Sequence, residues 1–224
     1  MIDKVGVDID NVLADLNTPL NKFFAEKHNL NIDVRKLKEF KLEKCKEIPK
    51  KAFNDMQKNF AKGKIYKDAL PTPYAEHAIN KLRNEGFEIH LVTSRMHNEV
   101  PLIAETVRWL DEYNLYYDEL HFEHSVDKYI IVKKHNMRAF IEDRYDNLEI
   151  IINKCGPLPL GSYIVDYPYN RGPENDNMVR VTDVAQAVDR IVEYRKWRDY
   201  LLVKCVGNIP KFVKEYLDGK ESTL

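Results

Sequence analysis

Apolar residues fall along this chain in short runs that stop abruptly at polar ones. Val5-Gly6-Val7 ends in Asp8-Ile9-Asp10, Phe87 to Val92 in Thr93-Ser94-Arg95, Arg138 to Ile141 in Glu142-Asp143, and Ser162 to Val165 in Asp166. Glu119 to Phe122 is a shorter run of the same kind. Largely apolar runs of this length read as strands. Between them the period is helical. Thr72-Pro73 opens a segment with Ala75, Ala78, Ile79 and Leu82 on one face, closed by Gly86, and Pro101 opens another with Ile103, Ala104, Val107 and Leu110 at helical spacing. Ser125 to His135 and Asn147 to Lys154 supply two short helices more. The alternation predicts an α/β fold with a Rossmann-like parallel sheet and crossover helices.

Residues 16–70 break the alternation. Leu16, Leu20, Phe23 and Phe24, then Phe53, Met56 and Phe60, recur at helical spacing without a convincing strand, so the segment reads as a helical insertion after the first strand. The division expected is a core of residues 1–15 and 71–224 with a small helical cap at 16–70. The tail is helical again, first with Val184, Ala187, Val188 and Ile191 on one face, then with a piece at Phe212, Val213, Tyr216 and Leu217. Those tail helices offer a surface for a homodimer. GPENDN at 172–177 reads as an exposed loop.

Composition narrows the partners. Lys plus Arg number 35 against 36 Asp plus Glu, so no global positive field favours DNA or an anionic membrane, and a polynucleotide is a weak candidate despite the local basic stretch from Lys44 to Lys51. No run approaches the roughly 20 apolar residues that span a bilayer, and MIDKVGVDID lacks the apolar core of a secretory signal. A soluble cytoplasmic protein is expected. Cys45, Cys155 and Cys205 are odd in number and far apart, as free thiols would be. His90, His97, His121 and His124 show no metal-ligand spacing and read as structural or surface residues.

In open parallel sheets ligands sit beyond the carboxyl ends of the strands, where the polar clusters fall. A lone Asp-x-Asp reads as a solvated pair or a helix cap. Asp8 and Asp10, however, share that edge with Thr93, Ser94, Glu142 and Asp143, and Lys128 lies one helix and one strand before Asp143. Gathering so many carboxylates is strongly repulsive without a cation, and an all-oxygen site suits Mg²⁺. With one carboxylate held ionised and the other passing a proton, such a site matches phosphoryl transfer through a covalent intermediate.

These positions resemble the four motifs of the haloacid dehalogenase-like superfamily: Val5 to Val12, Leu91 to Arg95, Lys128, and Phe140 to Arg144. Val12-Leu13-Ala14-Asp15, Thr93-Ser94, Glu142-Asp143-Arg144 and Asp166-Tyr167-Pro168-Tyr169-Asn170-Arg171 further resemble the 5'(3')-deoxyribonucleotidase group. The resemblance implies the superfamily's three-layer α/β/α core and an aspartyl-phosphate on Asp8, with Asp10 as general acid and base and its backbone carbonyl on the metal. It implies phosphate binding by Thr93, Ser94, Arg95 and Lys128, and a Mg²⁺ shell completed by Asp143 with Glu142. Asn11 stands where the superfamily most often has glycine, at a position that can need positive φ, which Asn tolerates. Glu142 replaces a commoner Asp.

The substrate implied is a phosphate monoester, first a nucleoside monophosphate. A phosphatase for another small metabolite or a polynucleotide end, and an idle binding module on the same fold, are the competing readings. Phe23, Phe24, Phe40, Phe53, Phe60 and Tyr66 in the insertion offer stacking surface for a base, though such residues more often form the core of a helical bundle.

Overall fold

A computed structural model describes residues 2–95, 100–173 and 175–207, with side chains to residue 202 and excepting those of 100 and 101. His97, the second tail segment at 212–217 and the Cys205 side chain lie outside the described residues.

The chain opens on β1 (Lys4–Val7), turns tightly, and forms the two-residue strand β2 (Ala14–Asp15). Three helices follow, α1 (Asn17–His28), α2 (Lys50–Ala61) and α3 (Lys64–Lys67), joined through short 3₁₀ turns. Then β3 (Leu70–Pro71) pairs antiparallel with β2, so the insertion leaves and returns at one ribbon. Thr72 ties the return down by donating Oγ1 to the Val12 carbonyl at 2.7 Å. The ribbon had no signature in the hydrophobic pattern because two residues per strand are too few to show a period.

Beyond it, α4 (Ala75–Asn84), β4 (Glu88–Thr93), α5 (Val100–Glu112) and β5 (Glu119–Phe122) alternate as the pattern predicts. So do α6 (Lys128–Lys134), β6 (Ala139–Glu142), α7 (Tyr145–Cys155) and β7 (Ser162–Val165). An unpredicted strand, β8 (Met178–Val181), precedes the long helix α8 (Val184–Gly207). It escapes the pattern because it is a short, half-buried edge strand interrupted by Arg180.

Six strands form one parallel sheet in the order β5-β4-β1-β6-β7-β8. Val7 lies opposite Leu91 on one side and Ile141 on the other, which aligns the carboxyl ends of β1, β4 and β6. Gly6 is needed for close packing there, since an added Cβ would stand 2.3 Å from the Phe140 ring. One face of the sheet is covered where α4 packs on α8, with Ile79, Leu82, Val188 and Ile191 buried; the other carries α6 and α7, with Val132, Leu148 and Ile151 buried. The result is the three-layer architecture expected.

Helix α5 is rotated relative to its sequence pattern. Leu102, Thr106, Trp109 and Leu110 face inward, while Val107 is exposed. The reason is polar: Thr106 turns in to meet Arg95. Cys45 and Cys155 are free thiols. Helix α8 exposes Trp197, Tyr200, Leu201 and Leu202. Among the described residues, no helix is long and apolar enough to cross a membrane.

Candidate active site

The backbone after β1 folds into a tight turn: the Ile9 carbonyl accepts from Leu13 and Ala14 N–H at 2.8 Å each, and Asn11 N–H donates to the Ala14 carbonyl at 2.7 Å. Asn11 adopts φ 59°, the left-handed region that Asn tolerates. The turn presents Asp8 and Asp10 to the same cavity.

Lys128 begins α6 and is buried, with its ammonium 2.8 Å from Asp8 Oδ1 and 2.8 Å from Glu142 Oε2. Lys133 and Lys134, later on the same helix, lie in its last turn instead. The carboxylates of Asp8, Glu142 and Asp143 are all buried, with ligand atoms within 4.8 Å of one another. Burial pushes the Asp8 carboxyl up to about 8, helped by Glu142 and Asp10 and opposed by Lys128. Burial, then Asp8, raises Asp143 to about 6. Lys128 is shifted upward: desolvation opposes its charge, but Asp8 and Glu142 outweigh it. With all three carboxylates ionised, one ammonium would leave two negative charges in excess, which is why burial and mutual repulsion raise them. One divalent cation cancels that excess, and the oxygen donors suit a hard ion.

Within this group the carboxylates are not equivalent. Glu142 gives Oε2 to Lys128, and Oε1 accepts from Asn147 Nδ2 at 3.3 Å and from Arg144 N–H at 3.4 Å. Both its oxygens are thus engaged with protein. Asp143 Oδ2 accepts from the Tyr169 hydroxyl and, at 3.4 Å, from Asn11 Nδ2. The backbone carbonyl of Asp143 accepts from Asn170 Nδ2 at 2.6 Å. Tyr169 and Asn170 come from the 3₁₀ turn after β7, so the Asp166 to Arg171 stretch locks Asp143 in place.

Of the residues expected on phosphate, Ser94 is exposed and lines the cavity beside Lys128. Thr93 is fully buried at the end of β4, and its Oγ1 accepts from Arg95 N–H at 3.3 Å. Arg95 lies elsewhere than expected. Its guanidinium is buried away from the cavity and bonded to Asp10 Oδ1 through Nε at 3.0 Å and Nη2 at 2.7 Å. Nη1 reaches Thr106 Oγ1 at 3.2 Å, and the plane sits 4.5 Å from the Tyr66 ring and 5.6 Å from that of Trp109. Its charge is already matched by Asp10.

The cavity measures 440 Å³. Its floor is Asp8, Asp10, Asn11, Lys128 and Asp143, and its walls are mainly apolar side chains of the insertion, with Glu39, Lys41, Glu43 and Gln57 among them. Phe40, Phe53, Phe60 and Tyr66 line it, whereas Phe24 is core and Phe23 packs edge-on against it. Phe40 is 39% exposed, tilted on Tyr169 at 5.5 Å between centroids, with the Arg144 guanidinium 4.2 Å from its ring. Tyr169 stacks in turn on Tyr167 at 5.1 Å. Tyr169, Asn170, Asn147, Thr106 and Trp109 were not singled out as site residues from sequence. Only the Asp166 to Arg171 motif carried a signal for any of them.

Residues 1–197 match the sequence model of the 5' nucleotidase, deoxy (pyrimidine), cytosolic type C protein family. The chain belongs to that family. It is thereby a phosphomonoester hydrolase of the haloacid dehalogenase-like fold. A protein of Halalkalibacterium halodurans provisionally named a nucleotidase is 24% identical over 193 residues, covering 86% of this chain and 94% of its own. A protein of Staphylococcus epidermidis provisionally named a 5'(3')-deoxyribonucleotidase is 28% identical over 169 residues, covering 75% and 89%. Among solved structures, a haloacid dehalogenase-like hydrolase from Bacteroides fragilis superposes with a TM-score of 0.54 at 12% identity, covering 83% of this chain and 99% of that one.

Proposed function

We propose that the chain is a Mg²⁺-dependent 5'-nucleotidase acting on nucleoside monophosphates, deoxyribonucleotides among them, in the cytoplasm. The observation that carries this reading is the pairing of a buried Asp8–Lys128 contact at 2.8 Å with an apolar, aromatic-walled cavity directly over it. The first suits a phosphate and the second a nucleoside.

In the proposed reaction Asp8 attacks phosphorus, the ester P–O bond breaks, and Asp10 gives its proton to the departing oxygen. Water then attacks the aspartyl-phosphate, Asp10 takes the water's proton, and Asp8 is restored as inorganic phosphate leaves. Arg95 occupies Oδ1 of Asp10 twice over, so the exchanged proton belongs on Oδ2. Lys128 neutralises incoming phosphate charge beside the nucleophile, and Ser94 and the Thr93 end of β4 face the phosphate oxygens. Asp8, Asp143 and the Asp10 carbonyl would hold Mg²⁺, which supplies charge neutralisation for phosphate. Glu142 acts through Lys128 and Asn147 rather than as a direct ligand, and residues 16–70 serve as the cap that selects the leaving group.

The test is phosphate release from a panel of nucleoside monophosphates and sugar phosphates, with and without Mg²⁺. Turnover of nucleotides that is abolished in Asp8→Asn is expected. Turnover of sugar phosphates with every nucleotide inert would overturn the nucleotidase assignment.

A further inference from the structure

Histidines that look scattered in the sequence meet at the edge of the sheet, on the same side as α6. His90 on β4 lies opposite Glu119 on β5, and His121 follows on the same face two residues later. His135, the residue that ends α6, covers them; its ring centroid is 4.8 Å from that of His90 and 4.8 Å from that of His121. We propose that His90, His121, His135 and Glu119 form a binding site for a divalent transition-metal ion of the zinc class, separate from the carboxylate cluster around Asp8.

One ligand atom from each of the four residues lies within 4.8 Å of all the others. His90 Nδ1 stands 3.0 Å from His121 Nε2, close to the edge of about 3.3 Å that two nitrogens span around a tetrahedral zinc ion. The Glu119 carboxylate faces both remaining rings, 3.5 Å from His121 Nε2 and 3.7 Å from His135 Nδ1. Three imidazoles with one carboxylate are a donor set for zinc, cobalt or nickel; magnesium prefers oxygen alone.

The surroundings prepare these side chains for a cation. His90 is fully buried, and its Nε2 bonds Glu88 Oε1 at 2.9 Å, with Glu88 held in turn by Lys4 at 2.7 Å. A carboxylate behind an imidazole fixes the tautomer and turns the other nitrogen outward as a lone pair, the usual support of a metal-binding histidine. Assigned this way, Nδ1 of His90 is an acceptor that faces the cluster and meets His121 Nε2 there. His135 Nε2 is buried with no hydrogen-bond partner among the described residues. Glu119 is 44% exposed at its side chain and leaves a route from solvent.

The position in the fold gives the ion a structural task. Helix α6 starts with Lys128 in the catalytic cluster and ends at His135 in this one, a span of about 10 Å at helical rise. An ion bound to β4, β5 and His135 clamps the far end of the helix that delivers Lys128.

The experiment uses tag-free full-length protein, stripped with chelator and titrated with Zn²⁺ by calorimetry in excess Mg²⁺, alongside thermal melts and Co²⁺ spectra. Expected are one Zn²⁺ site, a rise in Tm on loading, and the intense visible absorption of four-coordinate Co²⁺. Asp143→Asn keeps all three, His121→Gln and His135→Gln lose them, and Glu88→Gln weakens Zn²⁺ binding about 10- to 100-fold. The proposal is overturned if stripped protein takes up no Zn²⁺ in excess Mg²⁺. It is equally overturned if binding survives in the histidine variants or is lost in Asp143→Asn. Because Zn²⁺ affinity and Tm are read without substrate, the outcome is independent of the nucleotidase assignment.

Discussion

Two nitrogens of Arg95 converge on a single oxygen of Asp10, at 3.0 and 2.7 Å, and leave the carboxylate's other oxygen out of the pair. Arg95 is itself clamped by Thr106, Tyr66 and Trp109, from α5 and the end of the helical insertion. The residue proposed to shuttle the proton is therefore oriented from behind by Arg95, Thr106 and Trp109, which stay out of the cavity, and from its wall by Tyr66.

Removing one hydroxyl from that clamp tests its reach. Thr106→Val keeps the shape but leaves an Arg95 donor without its partner, which costs about 1–3 kcal/mol. The expected result is a kcat reduced several-fold with KM little changed, together with a lower Tm. A KM effect alone would place Thr106 outside proton transfer.

Asp8→Asn trades activity for stability. It removes one of three buried carboxylates, each held above or against its ordinary range by burial and by its neighbours. In metal-free buffer the variant is expected to melt at or above the wild-type temperature while phosphate release falls by at least about 10³-fold, the pattern of a site strained for function. A large drop in Tm contradicts the charge count.

The opposite change, Lys128→Met, leaves Asp8 and Glu142 without their shared cation. Breaking a buried ion pair on one side costs about 3–5 kcal/mol, so urea unfolding is expected to show that loss in the absence of metal. Saturating Mg²⁺ is expected to recover part of the stability and none of the activity.

Phe40→Ala probes the leaving-group end. A lost stacking contact of about 0.5–1.5 kcal/mol raises KM for nucleoside monophosphates about 2- to 12-fold. Steady-state kinetics on a sugar phosphate lacking a base should be unaffected; an equal loss on both substrates means Phe40 shapes the cavity without touching a base.

Asp3 sets part of the acid limit of stability. Hydrogen bonds from Arg198 on α8 hold its carboxyl below the ordinary 3.8. A depressed carboxyl contributes fully above its unfolded value and loses that contribution as pH falls through the folded one. The pair's share, about 1 kcal/mol after allowance for solvent screening, is thus present at neutral pH and lost from about pH 4 downward. Melts across pH should show Asp3→Asn less stable than wild type at pH 7, with the gap closing below about pH 3.

Strand ends carried most of what sequence could reveal. Asp8, Asp10 and Asp143 could be named because apolar runs stop beside them and a parallel sheet aligns those stops, and Lys128 because it stands one helix and one strand before Asp143. Arg95 could be named but not aimed: nothing local says whether a guanidinium after a strand turns toward a ligand or back into the protein. Its direction is set by Thr106 and Trp109, on a helix whose inward face the apolar spacing misplaced. The histidine cluster was illegible for a related reason. Its members sit on two strands and a helix end, and only the β4–β5 register and the placement of α6 bring them together.

The β2–β3 ribbon brings the two ends of the helical segment side by side, a strand spacing of about 4.8 Å apart. Everything between Asp15 and Leu70 is a loop closed at this ribbon, and it rests on the core through side chains such as Tyr66 against Arg95 and Phe40 against Tyr169. Such a segment can be lengthened, shortened or exchanged without shifting the register of any sheet strand, because loop-closure cost grows only slowly with length. In the division proposed above, with chemistry on the sheet and leaving-group choice on residues 16–70, the two are parts of one chain free to change at different rates.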